Sequence, residues 1–253
     1  MAKVKSYLRL QGSVGESTFL KEGTGPTYRM QDKLVVSKER FKTDPAFART
    51  RENASEFSRS GNAVKLIRDS VLSLLQGMKD KTLGRRLMAQ VMKVIASDTT
   101  SLRGKGNLVD GDTMLLKGFL FNSNTLLSSV FKKPIDTLIN RVTGQLTINV
   151  PAFLPGVELV IPKGATHYQL QSAASELDFE QLKFKTDYQQ SVVTLNDGTP
   201  HSASTLTHSV TPNSTLPLFL SFAIKYFQSA GGQMYPIMLG VTNLVMIIDV
   251  SKP

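Results

Sequence analysis

Apolar positions change period along this chain. Between about residues 53 and 96 they recur at helical spacing, and from about residue 123 onward they alternate. The first helical stretch opens at Asn53-Ala54-Ser55-Glu56, which has the form of a capping box. Its apolar stripe is Phe57, Val64, Ile67, Val71, Leu74 and Leu75, and Gly77 is the stop. A second helix is expected after Asp80, with Leu83, Leu87, Val91, Val94 and Ile95 on one face. The two are expected to form an αα-hairpin joined by Gly77-Met78-Lys79.

The alternating region predicts strands at Leu146–Val150, His167–Gln171, Val192–Leu195, Thr205–Val210, Leu218–Tyr226 and Leu244–Ile248. Asn196-Asp197-Gly198 and Gly231-Gly232 provide turns, and the prolines fall at strand ends. This pattern predicts an antiparallel β-sandwich of the Ig-like kind. Ahead of the helices, residues 4–36 hold short strands broken by Gly12, Gly15 and Gly23-Thr24-Gly25-Pro26, which read as a β-meander. These strands are too short and too charged to bury much alone, so they should pair with something else. The expected fold class is α+β. Residues 98–113, glycine-rich and poor in apolar side chains, suggest a boundary between domains at 1–105 and 106–253.

Charge sharpens that division. Residues 1–105 hold 21 Lys and Arg against 10 Asp and Glu, whereas residues 106–253 hold 9 against 10. A basic front implies an acidic partner. With 41% hydrophobic and 20% charged residues, the composition is that of a globular protein. The absence of Cys excludes disulfides, thiolate metal sites and thiol nucleophiles. Met1–Ser6 lacks the apolar run of a signal peptide, and the uncharged stretch 226–248 carries too many polar and breaker residues for a spanning helix. Both point to a cytoplasmic protein.

Residues 12–60 are the most distinctive. Gly12 and Gly15, Phe19 and Arg29 precede Asp44-Pro45-Ala46-Phe47-Ala48-Arg49-Thr50-Arg51-Glu52-Asn53 and Glu56-Phe57. With Pro151-Ala152-Phe153, Lys225-Tyr226-Phe227-Gln228 and Gln233-Met234-Tyr235-Pro236, the chain resembles a family of proteins of similar length encoded by Bacteroidota. The resemblance implies a non-enzymatic protein with a basic helical front and a β-rich back.

No motif for chemistry survives inspection. Gly104-Lys105-Gly106-Asn107-Leu108-Val109 starts like a dinucleotide loop, but Val stands where the third Gly belongs and no strand precedes it. His167, His201 and His208 lack ligand spacing, and Asp110-Gly111-Asp112 lacks the rest of a calcium loop. There is no Gly-x-Ser-x-Gly elbow, and only folding could assemble a Ser–His–Asp set. No cofactor, metal or small-molecule substrate is expected.

The basic front therefore reads as a docking surface. Its residues are the arm (Tyr7, Leu10, Phe19, Tyr28, Arg29) and the helical cations Arg49, Arg51, Arg59, Arg68, Arg85 and Arg86. The expected role is structural: self-association into a homo-oligomer or filament, since a basic front and a slightly acidic back suit head-to-tail packing. Nucleic acid, bound through phosphate contacts and stacking, is the alternative partner.

Overall fold

A computed structural model describes residues 3–4, 11–21, 24, 28–32, 36–78, 80–123, 125–237 and 243–253. By its internal contacts the chain divides into two compact units, Met1–Arg51 and Glu52–Pro253. The expected boundary near residue 105 falls inside the second unit.

The first unit holds β1 (Lys3–Val4), β2 (Gly12–Val14), β3 (Ser17–Lys21) and β4 (Tyr28–Asp32) in one antiparallel sheet of order β1-β4-β3-β2. Gly15, at φ +59°, allows the tight turn between β2 and β3. Helix α1 (Lys38–Thr43) starts where the Ser37 side chain accepts from the Arg40 N–H. A 3₁₀ turn at Pro45–Phe47 follows, capped by the Asp44 side chain.

Helix α2 (Ala48–Ser70) continues from that turn, so it starts earlier than its sequence suggests. Asn53 lies within the helix rather than at its cap. The helix breaks at Val71, and α3 (Leu72–Leu75) resumes after it. At the break the Ser70 carbonyl is taken up by three hydroxyls from the sheet: Tyr188 at 2.7 Å, Thr186 at 3.0 Å and Ser175 at 3.4 Å. They replace the helical partner that the break removes. Helix α4 (Leu83–Ala96) buries all five apolar positions of its expected stripe.

Residues 98–113 are a packed loop. The Asp98 carboxylate accepts from the N–H groups of Thr100, Ser101 and Asn107 at 2.9–3.1 Å. Gly111 passes so close to α4 that a Cβ there would stand 2.3 Å from the Val94 carbonyl oxygen. After a second 3₁₀ turn (Thr113–Leu116) and the short helix α5 (Leu127–Val130), the chain enters its sheets.

These are β5 (Asp136–Asn140), β6 (Gln145–Val150), β7 (His167–Asp178), β8 (Lys183–Gln190), β9 (Thr194–Leu195), β10 (Ser204–Ser209), β11 (Leu218–Ala230), β12 (Gln233–Pro236) and β13 (Leu244–Ser251). A small sheet has the order β10-β6-β5. In the large sheet β7 and β11 are central, β8 and β9 share the outer side of β7, and β12 and β13 share the outer side of β11. All pairing is antiparallel. Residues 118–121 cover the outer edge of β13, with the Phe121 N–H on the Val245 carbonyl and the Ile247 N–H on the Phe119 carbonyl.

The large sheet is covered on both faces. Leu218, Leu220, Phe222 and Ile224 of β11 pack with Leu146, Ile148 and Leu206 of the small sheet. On the opposite face, Phe219 and Ala223 pack with Leu87, Val91 and Val94 of α4 and with Ile67 of α2. The second unit is thus an α+β body in three layers: helices, large sheet, small sheet. Its alternating strands bury both sides, because a helical layer takes the face an isolated sandwich would leave wet. No helix among the described residues is long and apolar enough to cross a membrane.

Candidate docking surface

None of the first unit's described side chains is buried, and among the described residues the first buried hydrophobic one is Ala63. Phe19 pairs with Met30 and Leu20 with Arg29 across the sheet, while Val14 is 64% exposed and Leu20 45%. A short multistranded sheet needs a covered hydrophobic face to be stable in water.

Of the residues expected to dock, Tyr7 and Leu10 lie outside the described residues. Phe19 and Arg29 are half-buried, and among the described residues the Arg29 Nε has no hydrogen-bond partner. Tyr28 takes its place in β4 opposite Lys21.

The six helical arginines divide into two groups. Arg49, Arg68 and Arg85 are exposed, and among the described residues none has an ion-pair partner. The other three are used inside the fold. Arg51 donates to the carbonyls of Phe41 and Asp44, tying the start of α2 to the turn before it. Arg59 donates to the Gly104 carbonyl. Arg86 does most. It pairs with Asp80 at 2.7 Å, donates to the carbonyls of Leu120 and Phe121, and stands 5.4 Å from the Phe119 ring centre. Burial opposes ionisation of Asp80, but hydrogen bonds from Thr82 and Ser123 and from the Arg86 guanidinium outweigh it and hold the carboxyl far below its ordinary range.

The weak motifs also find structural employment. The Gly104 N–H, which a phosphate would want, donates to the Glu56 carboxylate at 3.0 Å. Asp110 accepts from the Asn107 amide, and Asp112 caps the second 3₁₀ turn. Among the described residues no group of three or more acidic or histidine side chains is placed to hold a metal ion.

Folding does assemble a Ser–His–Asp set, from three strands far apart in sequence. The Ser172 Oγ lies 2.8 Å from the His208 Nε2, and the His208 Nδ1 lies 3.6 Å from an Asp187 oxygen. Ser172 and His208 are both wholly buried between the sheets, and the Nδ1 contact is too long for a hydrogen bond. The hydroxyl that would attack a substrate is enclosed, so the set joins the sheets. Sequence spacing carries no trace of it, because β7, β8 and β10 bring the three together only in the fold.

Burial pushes the His208 imidazole below its ordinary value of 6.5, and Asp187 opposes that shift. As pH falls through 6.5 the unfolded chain takes up a proton that the folded one resists, so stability should fall. His208→Gln keeps a partner for Ser172 and removes the titration. Urea midpoints measured between pH 6.5 and about 5 should then decline less steeply than in the parent. Equal slopes would assign the decline to other groups.

No family model, curated protein or solved structure matches this chain.

Proposed function

We propose that this is a structural protein that self-associates, docking through its N-terminal sheet, with no catalytic role. The observation that carries this reading is that none of the sheet's described side chains is buried. Four strands with Val14, Leu20 and Met30 exposed gain most of their stability from a partner that covers them. A second copy is the partner always at hand, and an isologous or head-to-tail contact would give a closed oligomer or a filament. The enclosure of Ser172 supports a role without catalysis.

The finer reading of the sandwich as Ig-like rests on strand order. Labelling β5, β6, β7, β8, β10, β11 and β13 as A, B, C, C′, E, F and G gives sheets A-B-E and C′-C-F-G. That order supports the Ig-like reading, in which the Greek key has its fourth strand moved to the second sheet.

Light scattering and electron microscopy of the full chain test the proposal. The parent should form particles of defined size or filaments, and Leu20→Glu with Met30→Glu should dissociate them. A monodisperse monomer at high concentration would end the proposal. Nucleic acid remains the second reading, favoured by the exposed Arg49, Arg68 and Arg85, which have no ion-pair partner among the described residues. Adding DNA or RNA to the same samples separates the two, since phosphate-driven binding weakens steeply with salt.

A further inference from the structure

The helix-facing side of the large sheet changes character along its strands. On β7, Leu177 and Ala173 lie in the core under the helices, and Gln171 and Gln169 follow them on that face. On β11, Phe219 and Ala223 lie in that core, and Lys225 follows. The change coincides with the end of the helical cover at α3. There a cavity of about 430 Å³ opens, walled by Leu74 and Gln76 on the helical side and by Gln171, Tyr188, Gln190 and Lys225 on the sheet. Its volume falls within the range of small-molecule sites, about 300–1,000 Å³.

Among the described residues Lys225 is the single cation of this lining. Its Nζ donates to the Ser73 carbonyl at 2.8 Å, which uses one of three protons. Burial lowers its pKa, so the ammonium is partly stripped of water. Among the described residues no carboxylate lies within ion-pair distance of it, whereas the part-buried Arg86 has Asp80. No acidic residue among the described ones lines the cavity. The Gln171 Nε2 donates to the Gln169 oxygen at 2.7 Å and to the Gln190 oxygen at 3.4 Å, so among the described residues the Gln171 oxygen and the Gln190 N–H groups keep hydrogen-bonding capacity to spare. The Tyr188 hydroxyl is committed to the Ser70 carbonyl, which leaves its ring to the cavity beside Leu74.

We propose that this cavity binds a small hydroxylated monocarboxylate of the sugar-acid kind, its carboxylate on Lys225. One uncompensated cation matches one negative charge, and a dianion such as phosphate would bring a second charge with no counterpart. Amide groups match hydroxyls, and the tyrosine ring and Leu74 match the C–H face of a sugar-derived chain. This site belongs to the second unit alone and does not depend on self-association.

Isothermal titration calorimetry of the full chain tests the proposal, with gluconate, glucose and inorganic phosphate as probes. Gluconate should bind saturably at one site per chain. Glucose, which lacks the charge, and phosphate, which lacks the body, should bind at least about tenfold more weakly. Lys225→Met should weaken gluconate by about tenfold or more, the worth of a charge-assisted hydrogen bond. Because Lys225 also holds the Ser73 carbonyl, Gln190→Ala provides a second test that leaves that bond in place, and it should weaken gluconate several-fold. Absence of saturable gluconate binding, equal binding of phosphate, or unchanged affinity in Gln190→Ala would each overturn the proposal.

Discussion

Arg86→Met should destabilise the second unit by about 3 kcal/mol, whereas Arg85→Met, one residue away, should stay within about 0.5 kcal/mol. The contrast follows from where the two side chains go. Arg85 is exposed and pairs with nothing among the described residues. Arg86 neutralises Asp80, whose side chain is only 5% exposed, and holds two carbonyls of the segment that covers β13. Breaking a buried pair costs about 3–5 kcal/mol because it strands a charge. Three protein donors remain on Asp80, from Thr82 and Ser123, and they keep the effect near the lower end. Thermal unfolding should register it as a drop of roughly 6–12 °C. Arg86→Lys should recover only part, since an ammonium cannot reproduce the guanidinium fork. If both methionine variants melt alike, Arg86 is not the clamp described.

Arg141→Met should cost a similar amount, about 3 kcal/mol or more. Arg141 follows β5 and reaches across the end of the sandwich. Its guanidinium donates to the carbonyls of Ser214, Leu216 and Ser251 and to the Ser251 hydroxyl, at 2.6–3.2 Å. Its charge also acts on the buried Glu176. Methionine keeps the volume and loses every donor, leaving polar groups at the sandwich end without their partner. Hydrogen exchange adds a local readout: amides near 214–216 and 249–251 should lose protection before those of α4. Uniform loss across the unit, or none, would contradict this role.

Much of the second unit was legible in the sequence, for reasons its side chains make plain. Helix α4 keeps its apolar residues on one stripe, and the stripe is what it buries. The alternation of β11 marks its two faces correctly. Helix α2 was harder. It buries Ser60, Ala63 and Ser70 alongside Val64, Leu66 and Ile67, while Phe57 is 59% exposed. Ser60 and Ser70 can go inside because each hydroxyl bonds a carbonyl of its own helix, so residue type misleads. Strand β8, KFKTDYQQ, hides its alternation under the charges typical of an edge. The loop at 98–113 resembled a linker because its order comes from one carboxylate gathering N–H groups and leaves no apolar mark. Of the candidate docking surface, the absence of buried side chains among the arm's described residues was legible. The split between exposed and engaged arginines was not, since every arginine looks alike until its partners are in place.

The double covering of the large sheet has a consequence for how the chain comes to be folded. Helices α2 and α4 are made first, yet the residues that close over them lie on β7, β11 and β13. During synthesis at roughly 5–20 residues per second, the stripe from Leu83 to Ile95 waits on the order of ten seconds for Val245 and Ile247. Until then it can pair with α2 or be shielded by a chaperone, but it has no sheet to lie on. Strand β13 ends that wait on both sides at once: Val245 and Ile247 turn to the helices, and Leu244, Met246 and Ile248 to the small sheet.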